Sequence, residues 1–499
     1  MAPVLRHVES LLLVAVLVCS FFAVARTLVR IHAPYQMDYA EGTILNTALR
    51  LSQGGSLYQP IQTLPYHLDP YPPFIYKLVS VLIVRYGLDF YYPRLIVMIA
   101  AIVACLFAAL LIRQWTGEWK LAIAFGMLPL TVGQLQAWLG ILRYDLIGIG
   151  LTMIGLAIFV LLPRFRCWAI PFFVLAVAGL YTLVGAPAAC CLFLWGRGER
   201  KASVLFGASF SIVLIAGYLY GQHVTNGAMG YHLFKTQHSP YSLSQLASFT
   251  QGYLRSYALL AVLSAGVVWK AIREKKLSLI LFYWVLVAGT SLTLGKVGAS
   301  QNHMLHFIFV ACVAAGVAYA WLRQDSRAES GLMLVVATLI VTTLANAPLR
   351  IKKPIEDLSG CGQAYAAVKS DLGDRILSDN VGALVFADKP TYISDPFVYR
   401  WLVMSGGYPD NELRRMIESR QFSSIVLDNR PDRQENDGGR WPDAVRLAIQ
   451  NNYQLKQEFV CNDARFVYQP KQSSSPTSQA SANGASSFPL QTNKNRVDP

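Results

Sequence analysis

Met37-Asp38-Tyr39-Ala40-Glu41-Gly42 is the stretch around which this chain is organised. It follows the first long apolar run, Ser10 to Val29, after only a short spacer. Asp38 and Glu41 are three residues apart, so on a helical turn they would share one face. Two acids at the exit of an apolar helix predict a functional site at the boundary between membrane and water.

The composition indicates a membrane protein. The 499 residues are 54% hydrophobic and 14% charged, with a mean hydropathy of +0.38, which is too apolar for a soluble chain of this length. We predict a polytopic α-helical membrane protein whose first span is an uncleaved signal anchor. Much of the net charge of +14 falls in short loops beside spans, where it indicates orientation in the membrane and not nucleic-acid binding.

We predict about eleven transmembrane helices. They cover residues 9–29, 94–113, 119–140, 143–163, two short spans within 167–196, 203–221, 254–272, 277–297, 303–323 and 329–347. Gly185-Ala186-Pro187 is taken as the break within 167–196. With a cytoplasmic N-terminus, the inside loops collect Arg and Lys as the positive-inside rule requires. An alternative with the same total treats 74–90 as a span and leaves 167–196 whole, which would move Asp145 to the cytoplasmic side.

The first outer loop, residues 30–93, contains two short amphipathic helices in this prediction. Ile44, Leu45, Ala48 and Leu51 have helical spacing, which ends at Gly54-Gly55. The second helix follows Tyr71-Pro72-Pro73. Each is short and interrupted by charge, so we expect both to lie flat at the membrane interface.

Three segments are predicted: a transmembrane domain at 1–347, a small extracytoplasmic α/β domain at 348–469 and a disordered tail at 470–499. In the second segment, strands are predicted at 375–378, 424–427 and 465–468, and helices at 411–420 and 443–451. If it lies outside the cytoplasm, Cys361 and Cys461 could form a disulfide, which the sequence leaves open.

Asp38 is the first candidate for a general base. A carboxylate in a partly desolvated position can take a proton from a reacting hydroxyl. Glu41 would then either bind the acceptor or hold Asp38 in place. The simpler interpretation is that Asp38 caps a helix beside a second acid. The rigid Tyr71-Pro72-Pro73 turn places an aromatic ring in the same loop and favours the functional interpretation.

Asp-Tyr-Ala-Glu-Gly at 38–42, Gly54 to Tyr58 and Tyr71-Pro72-Pro73 resemble the first outer loop of GT-C glycosyltransferases. The likeness is to the bacterial protein-mannosyltransferase and aminoarabinose-transferase type and extends over about residues 10–300. It implies a GT-C-like fold, a polyprenyl-phosphate sugar as donor, and Asp38 as the catalytic acid residue of the loop. It also favours placing Asp145 on the outer side.

Further polar residues are candidates for binding the substrate. Arg94 and Arg143 stand at the starts of spans, where an arginine suits a lipid phosphate. The alternatives are snorkelling for Arg94 and an internal pair of Arg143 with Asp145. Lys296 is the third candidate for phosphate binding. The remaining candidates for the substrate cavity are Tyr39, Tyr71, Asp145, Asn302 and His303. The 295–303 segment can equally be a tight turn with a snorkelling lysine.

No Asp-x-Asp motif lies near Asp38, and the chain has no phosphate-binding glycine fingerprint and no Cys/His metal cluster. The resemblance implies that no metal is needed, because the protein- and lipid-modifying branches of that superfamily do not generally depend on metal. We therefore expect no cofactor and no metal, with a divalent ion left open. The expected function is that of an inverting glycosyltransferase of the bacterial inner membrane, with a glycan, lipid or protein as acceptor. The alternatives are a transporter or flippase for a lipid-linked sugar, or a non-catalytic envelope-assembly protein.

Overall fold

The computed structural model describes residues 2–236, 239–347, 359–407, 411–432, 439–461 and 463–472. Most of these residues are helical. The helices up to residue 345 are α1 (Ala2–Arg30), α2 (Tyr39–Ser52), α3 (Pro73–Tyr86), α4 (Tyr91–Thr116), α5 (Trp119–Met127), α6 (Gly133–Trp138), α7 (Tyr144–Leu161), α8 (Ala169–Gly179), α9 (Gly185–Gly196), α10 (Arg200–Val224), α11 (Ala228–Gly230), α12 (Leu243–Glu274), α13 (Leu279–Thr290), α14 (Leu305–Leu322) and α15 (Glu329–Ala345).

This part of the chain is a multi-pass membrane protein. Among the described residues, six helices are long and apolar enough to cross a bilayer. They are Val4–Arg30, Tyr91–Thr116, Tyr144–Leu161, Arg200–Val224, Leu243–Glu274 and Gln301–Leu322. Shorter apolar helices lie at Trp119–Thr131, Tyr181–Gly196, Leu279–Gly295 and Glu329–Ala345. The count of about eleven spans therefore stays a prediction.

The run at 167–196 is divided in two, as predicted, but the break lies earlier than Gly185. Helix α8 ends at Gly179, and Leu180 is extended, with φ −153° and ψ 104°. The ring of Tyr144 packs so closely on Gly179 that a Cβ there would lie 1.9 Å from it. Helix α3 has 14 residues, which at about 1.5 Å per residue is too short to cross a bilayer. Both observations favour the first of the two predicted topologies.

Helix α2 does not lie open at the membrane surface. Its first turns, from Ala40 to Leu45, are buried, and it packs on α3 and on a helix of the C-terminal part. The expectation that α2 is an interfacial helix is therefore wrong, because protein covers the face that lipid was expected to cover. Helix α3 buries Ile75, Tyr76, Val79 and Ile83 but exposes Val81 and Val84, so for α3 the interfacial placement stays a prediction.

The C-terminal part contains a four-stranded sheet in the order β1-β2-β4-β3. The strands are β1 (Ile376–Ser378), β2 (Ser424–Leu427), β3 (Tyr453–Cys461) and β4 (Asp463–Pro470). The β1–β2 pair is parallel, and the β2–β4 and β4–β3 pairs are antiparallel. Its helices are α16 (Ser359–Ser370), α17 (Val381–Phe386), α18 (Pro396–Met404), α19 (Asn411–Glu418) and α20 (Asp443–Asn452).

Several predictions for the C-terminal part cannot be compared with the structure. The boundary at 347/348 adjoins 348–358, which lie outside the described residues, as does most of the predicted tail, 473–499. Cys361 is disulfide-bonded, but the predicted pairing with Cys461 falls on a side chain outside the described set.

The C-terminal part shares a hydrophobic core with the first outer loop. Tyr66 and Leu68 of the loop are buried together with Leu377, Ile425 and Tyr399. Tyr66 also forms a parallel bridge with Ile393. This contact brings one face of the C-terminal part onto the loop that carries Asp38.

Candidate active site

One cavity collects most of the residues singled out in the sequence. Its volume is about 350 Å³, within the range of small-molecule sites. The predicted residues that line it are Asp38, Tyr39, Tyr71, Arg143, Asp145, Lys296, Asn302 and His303. The C-terminal part adds Asp395, Phe397, Trp401 and Arg440, which the sequence analysis did not identify.

Asp38 is a helix cap, as the simpler interpretation expects, and its carboxylate also lines the cavity. It is the N-cap of α2, with extended backbone angles (φ −132°, ψ 145°), and its Oδ1 accepts hydrogen bonds from Ala40 N at 3.1 Å and from Arg143 Nη1 at 3.2 Å. Among the described residues, Oδ2 has no hydrogen-bond partner. Capping uses one carboxylate oxygen and leaves the other available in the cavity.

Glu41 and Arg94 form a buried pair outside the cavity. Both side chains are completely buried. Arg94 Nε donates to Glu41 Oε1 at 2.8 Å and Nη2 to Oε2 at 2.7 Å, while its Nη atoms also donate to the carbonyl oxygens of Ala33 and Tyr35. The prediction that Arg94 binds the donor phosphate is therefore wrong, because its donors are already committed and no surface of it is exposed.

The carboxylate of Glu41 hydrogen-bonds the backbone around Asp38 and does not line the cavity. Its Oε2 accepts from the backbone N–H of Met37 and of Asp38, completing the capping box, and its Oε1 accepts from Leu142 N at 2.8 Å. Burial raises the pKa of Glu41, but the Arg94 guanidinium and these hydrogen bonds outweigh it and keep the pKa below its ordinary value. Of the two roles predicted for Glu41, this geometry does not allow binding of the acceptor and supports holding Asp38 in place. It is a positioning residue.

Arg143 connects two carboxylates at the cavity wall. Its Nη1 lies 3.2 Å from Asp38 Oδ1 and its Nε lies 3.3 Å from Asp145 Oδ2. Asp145 Oδ1 accepts from Asn302 Nδ2 at 2.8 Å. The internal pair foreseen for Arg143 and Asp145 is present. The guanidinium still lines the cavity with about a fifth of its surface exposed, so it can also contact an anion.

The segment 295–303 forms another wall. Gly298 has φ +86°, and a Cβ there would lie 2.1 Å from the ring of Phe397, so glycine is required for both conformation and space. Lys296 lines the cavity together with Asn302 and His303. Thr293 Oγ1 is 3.0 Å from Nδ1 of His303. The segment therefore does more than turn the chain.

The C-terminal wall is anchored on Tyr39. The hydroxyl of Tyr39 donates to Asp395 Oδ1 and accepts from Phe397 N at 2.9 Å. The guanidinium of Arg440 lies 4.5 Å from the centre of the Tyr39 ring and forms an ion pair with Asp428. Burial raises the pKa of Asp395 to about 6, although the Tyr39 hydrogen bond acts in the opposite direction.

The turn that carries Tyr71 is held by Asp69, another residue that the sequence analysis missed. The buried carboxylate of Asp69 accepts from Thr47 Oγ1 at 2.8 Å, from Arg50 Nη2 at 2.8 Å and from Tyr58 N at 3.1 Å. Tyr58 in turn donates its hydroxyl to Tyr71 O at 2.7 Å. Asp69 lies two residues before Tyr71, and in the sequence nothing distinguishes it from an ordinary acidic residue of a loop. Its hydrogen-bond partners are brought to it only by the fold of the loop.

The chain shares its fold with ArnT and with an archaeal oligosaccharyltransferase, as the resemblance seen in the first loop predicts. The crystal structure of ArnT from Cupriavidus metallidurans bound to undecaprenyl phosphate superposes with a TM-score of 0.61 at 14% identity, over 92% of this chain and 98% of that one. Its apo state gives 0.61 at 12% identity, over 91% and 97%. The apo oligosaccharyltransferase of Archaeoglobus fulgidus gives 0.50 at 11% identity, over 93% and 75%. No protein-family model and no curated protein matches by sequence.

Proposed function

We propose that this protein transfers a sugar from a polyprenyl-phosphate donor to an acceptor hydroxyl, with inversion at the anomeric carbon. The observation that carries the proposal is that Asp38, Arg143 and Lys296 line one cavity at the membrane end of the first loop. The fold shared with ArnT, which binds undecaprenyl phosphate, supports a lipid phosphate as part of the donor.

In the proposed reaction, Asp38 Oδ2 takes the proton from the acceptor hydroxyl. The acceptor oxygen forms a bond to the anomeric carbon while the bond from that carbon to the phosphate oxygen breaks. The electron pair leaves on the polyprenyl phosphate, where Arg143 and Lys296 stabilise the developing charge. Asp38 releases its proton to water afterwards. This single displacement accounts for inversion.

Glu41 and Arg94 support this reaction from behind the cavity wall. Glu41 binds the backbone N–H groups of Asp38 and Leu142, so one buried carboxylate sets the positions of both Asp38 and the neighbouring Arg143. A site of this kind needs its reactive groups held to within about 0.5 Å, which a buried, fully hydrogen-bonded pair provides.

Ion pairs between the predicted cytoplasmic loops support their placement on the same side of the membrane. Arg323 forms ion pairs with Glu9, near the N-terminus, and with Glu118 in the α4–α5 loop, while Arg166 pairs with Glu199. These residues lie on segments that the charge rule assigns to the cytoplasm. We therefore place the N-terminus in the cytoplasm, and the cavity and C-terminal part outside it, in a bacterial inner membrane.

The deciding experiment is release and transfer of labelled sugar from undecaprenyl-phosphate donors by the purified protein in lipid. Asp38→Asn should lower turnover by roughly 10²–10⁴-fold while donor binding is retained. Asparagine is as good an N-cap as aspartate, so the start of α2 should be preserved.

Asp89→Asn is the control, because the Asp89 carboxylate also accepts a backbone hydrogen bond at a helix start, from Tyr91 N at 3.0 Å, but does not line the cavity. It should leave turnover unchanged. Equal turnover for wild type and Asp38→Asn would remove Asp38 as the base, and donor binding without turnover by the wild type would favour a transporter.

We propose that the reaction needs no metal. The described residues contain no group of three or more His, Cys, Asp or Glu side chains arranged to hold an ion. Turnover in the same assay should be unchanged by EDTA, and loss of turnover that added Mg²⁺ or Mn²⁺ restores would contradict this.

A further inference from the structure

A short segment of the C-terminal part is built rigidly into the catalytic loop. Tyr66 N donates to Tyr392 O at 2.8 Å, and Ser394 N donates to Tyr66 O at 3.1 Å. The Ser394 hydroxyl accepts from Leu68 N at 2.7 Å and donates to Leu68 O at 3.0 Å. The next residue, Asp395, is thereby fixed at the cavity.

Asp395 has accepting capacity that the fold does not use. The residue is 3% exposed, yet it lines the cavity. The hydrogen bonds from the Tyr39 hydroxyl and from Val398 N both end on Oδ1. Among the described residues, no hydrogen bond ends on Oδ2. A buried carboxylate oxygen beside a substrate cavity is a strong acceptor for a donor group on the substrate.

The surroundings of Asp395 suit a sugar ring. Phe397 and Trp401, four residues apart on α18, both line the cavity beside it, with ring centroids 6.2 Å apart. Flat apolar rings beside a carboxylate fit the C–H face and the hydroxyl edge of a pyranose or furanose. Arg440, the neighbouring cation of this wall, is already paired with Asp428 and stacked on Tyr39.

We propose that Asp395 is a specificity-determining residue that accepts a hydrogen bond from a hydroxyl of the transferred sugar, with Phe397 and Trp401 against the face of its ring. This rests on the proposed transfer from a lipid-phosphate donor. We assign Asp395 to the sugar of the donor and not to the acceptor. If the phosphate binds at Arg143 and Lys296, the sugar attached to it must lie in the same cavity of about 350 Å³.

The test measures the KM of full-length protein in lipid for whichever undecaprenyl-phosphate hexose or pentose the wild type turns over. It also measures binding of bare undecaprenyl phosphate. Asp395→Asn should raise the KM for the sugar-bearing lipid by about 10- to 100-fold, as expected for one charge-assisted hydrogen bond, and leave binding of the bare lipid within about twofold.

Monodeoxy donors identify the contact. For one of the monodeoxy donors, the KM of the wild type should be raised relative to the full donor, while the KM of Asp395→Asn should be the same for both. The reason is that removing either the hydroxyl or the carboxylate breaks the same hydrogen bond. Thr43→Val is the matched control: it removes one hydrogen bond between loop and C-terminal part, from the Thr43 hydroxyl to Ser394 O at 3.0 Å, at a residue that does not line the cavity. The bonds of Ser394 to Tyr66 and Leu68, which fix Asp395, stay in place. Its donor KM should stay at the wild-type value.

Three results would overturn the assignment. If the wild type is active and Asp395→Asn has an unchanged donor KM, Asp395 does not bind the sugar, and the proposed transfer reaction is unaffected. Equal losses in Asp395→Asn and Thr43→Val, for bare and sugar-bearing lipid alike, would show a purely structural role. A change confined to the acceptor KM would place Asp395 on the acceptor. If the wild type turns over no donor at all, the proposed function fails, and the role of Asp395 fails with it.

Discussion

At the scale of single residues, the cavity combines three carboxylates and three cations in close order. Asp38, Asp145 and Asp395 line it together with Arg143, Lys296 and Arg440. Each carboxylate has at least one partner, so none lies in the cavity as an isolated buried charge, which would be strongly unfavourable. Carboxylates accept hydrogen bonds from hydroxyls and cations bind phosphate, so this lining suits a substrate that carries both.

Arg143 should determine donor affinity. Arg143→Gln is expected to weaken binding of undecaprenyl phosphate by about 10- to 100-fold, because one charge-assisted contact is lost. Arg143→Lys should recover only part of it, since an ammonium cannot form the two-pronged contact of a guanidinium. The measurement is lipid binding by fluorescence titration in nanodiscs.

The control for Arg143 is Arg85→Gln, which removes the same charge from an exposed site on α3 that does not line the cavity. It should bind lipid as the wild type does. If both variants weaken binding equally, the effect comes from overall charge and Arg143 is not a phosphate ligand.

The raised pKa of Asp395 predicts how stability depends on pH. The folded protein binds this proton more tightly than the unfolded chain, whose carboxyl titrates near 3.9. Stability is therefore lost as the pH rises from about 4 through the folded value of about 6. The loss from this group is at most roughly 3 kcal/mol.

Asp395→Asn lacks this titration. Thermal unfolding at pH values from 4 to 7.5 should show the variant gaining apparent stability relative to the wild type up to about pH 6.5, then a constant difference. A difference that does not vary with pH would contradict the raised pKa. A more stable variant with weaker sugar recognition is the usual compromise at a binding site.

At the scale of elements, α2 is fixed by what its first turn buries. Glu41 in that turn binds Arg94 in the first turn of α4 and the backbone before α7, so three helix starts converge on one carboxylate. Helix dipoles favour a negative charge at such a convergence of N-termini. The cavity lies directly beside this junction, and its geometry depends on it.

Breaking the Glu41–Arg94 pair should destabilise the protein strongly. Glu41→Gln leaves the Arg94 charge buried and uncompensated, for an expected loss of about 3–5 kcal/mol. Arg94→Met should have a similar effect. The double variant should lose less than the sum of the two, because no lone charge remains. Thermal unfolding in detergent measures all three.

A surface pair gives the comparison. Lys389 binds Asp374, which is almost fully exposed, so Lys389→Gln should cost at most about 1 kcal/mol. If Glu41→Gln costs no more than Lys389→Gln, the Glu41–Arg94 pair is not what fixes the three helix starts.

At the scale of the whole molecule, the site exists only where three distant regions meet. The first loop supplies Asp38 and Tyr71, the membrane helices and their loops supply Arg143 and Lys296, and the C-terminal part supplies Asp395. The shared core of loop and C-terminal part stabilises this meeting. The chain therefore behaves as one unit around its cavity and not as a membrane domain with a detachable appendage.

Orientation is a property of the whole molecule and can be tested directly. A C-terminal alkaline phosphatase fusion should be active in a bacterial host, and a C-terminal green fluorescent protein fusion, which needs the cytoplasm to fold, should be dark. Both expectations follow from an odd number of spans with the N-terminus inside. The opposite pattern would place the C-terminal part, and the cavity with it, in the cytoplasm.

The sequence by itself determined the membrane class and the fold, and it identified eight of the residues that line the cavity. Apolar runs of bilayer length report burial in lipid without any knowledge of the fold. The first-loop motif identified Asp38, Tyr39 and Tyr71 because these residues are close together in the chain. Arg143, Asp145 and Lys296 were found because charge beside a span is conspicuous.

Only the tertiary structure separated the roles of the charged residues and completed the site. Arg94 and Arg143 look alike in sequence, because both stand at the start of a span. In the folded protein Arg94 is buried in an ion pair with Glu41, whereas Arg143 lines the cavity. Asp395 stands before Pro396 like an ordinary helix cap. It joins the site through its own hydrogen bond with Tyr39 and through that of its neighbour Ser394 with Leu68, each more than three hundred positions away. Local patterns fix helices and caps, whereas the pairing of distant charges depends on packing that no local pattern encodes.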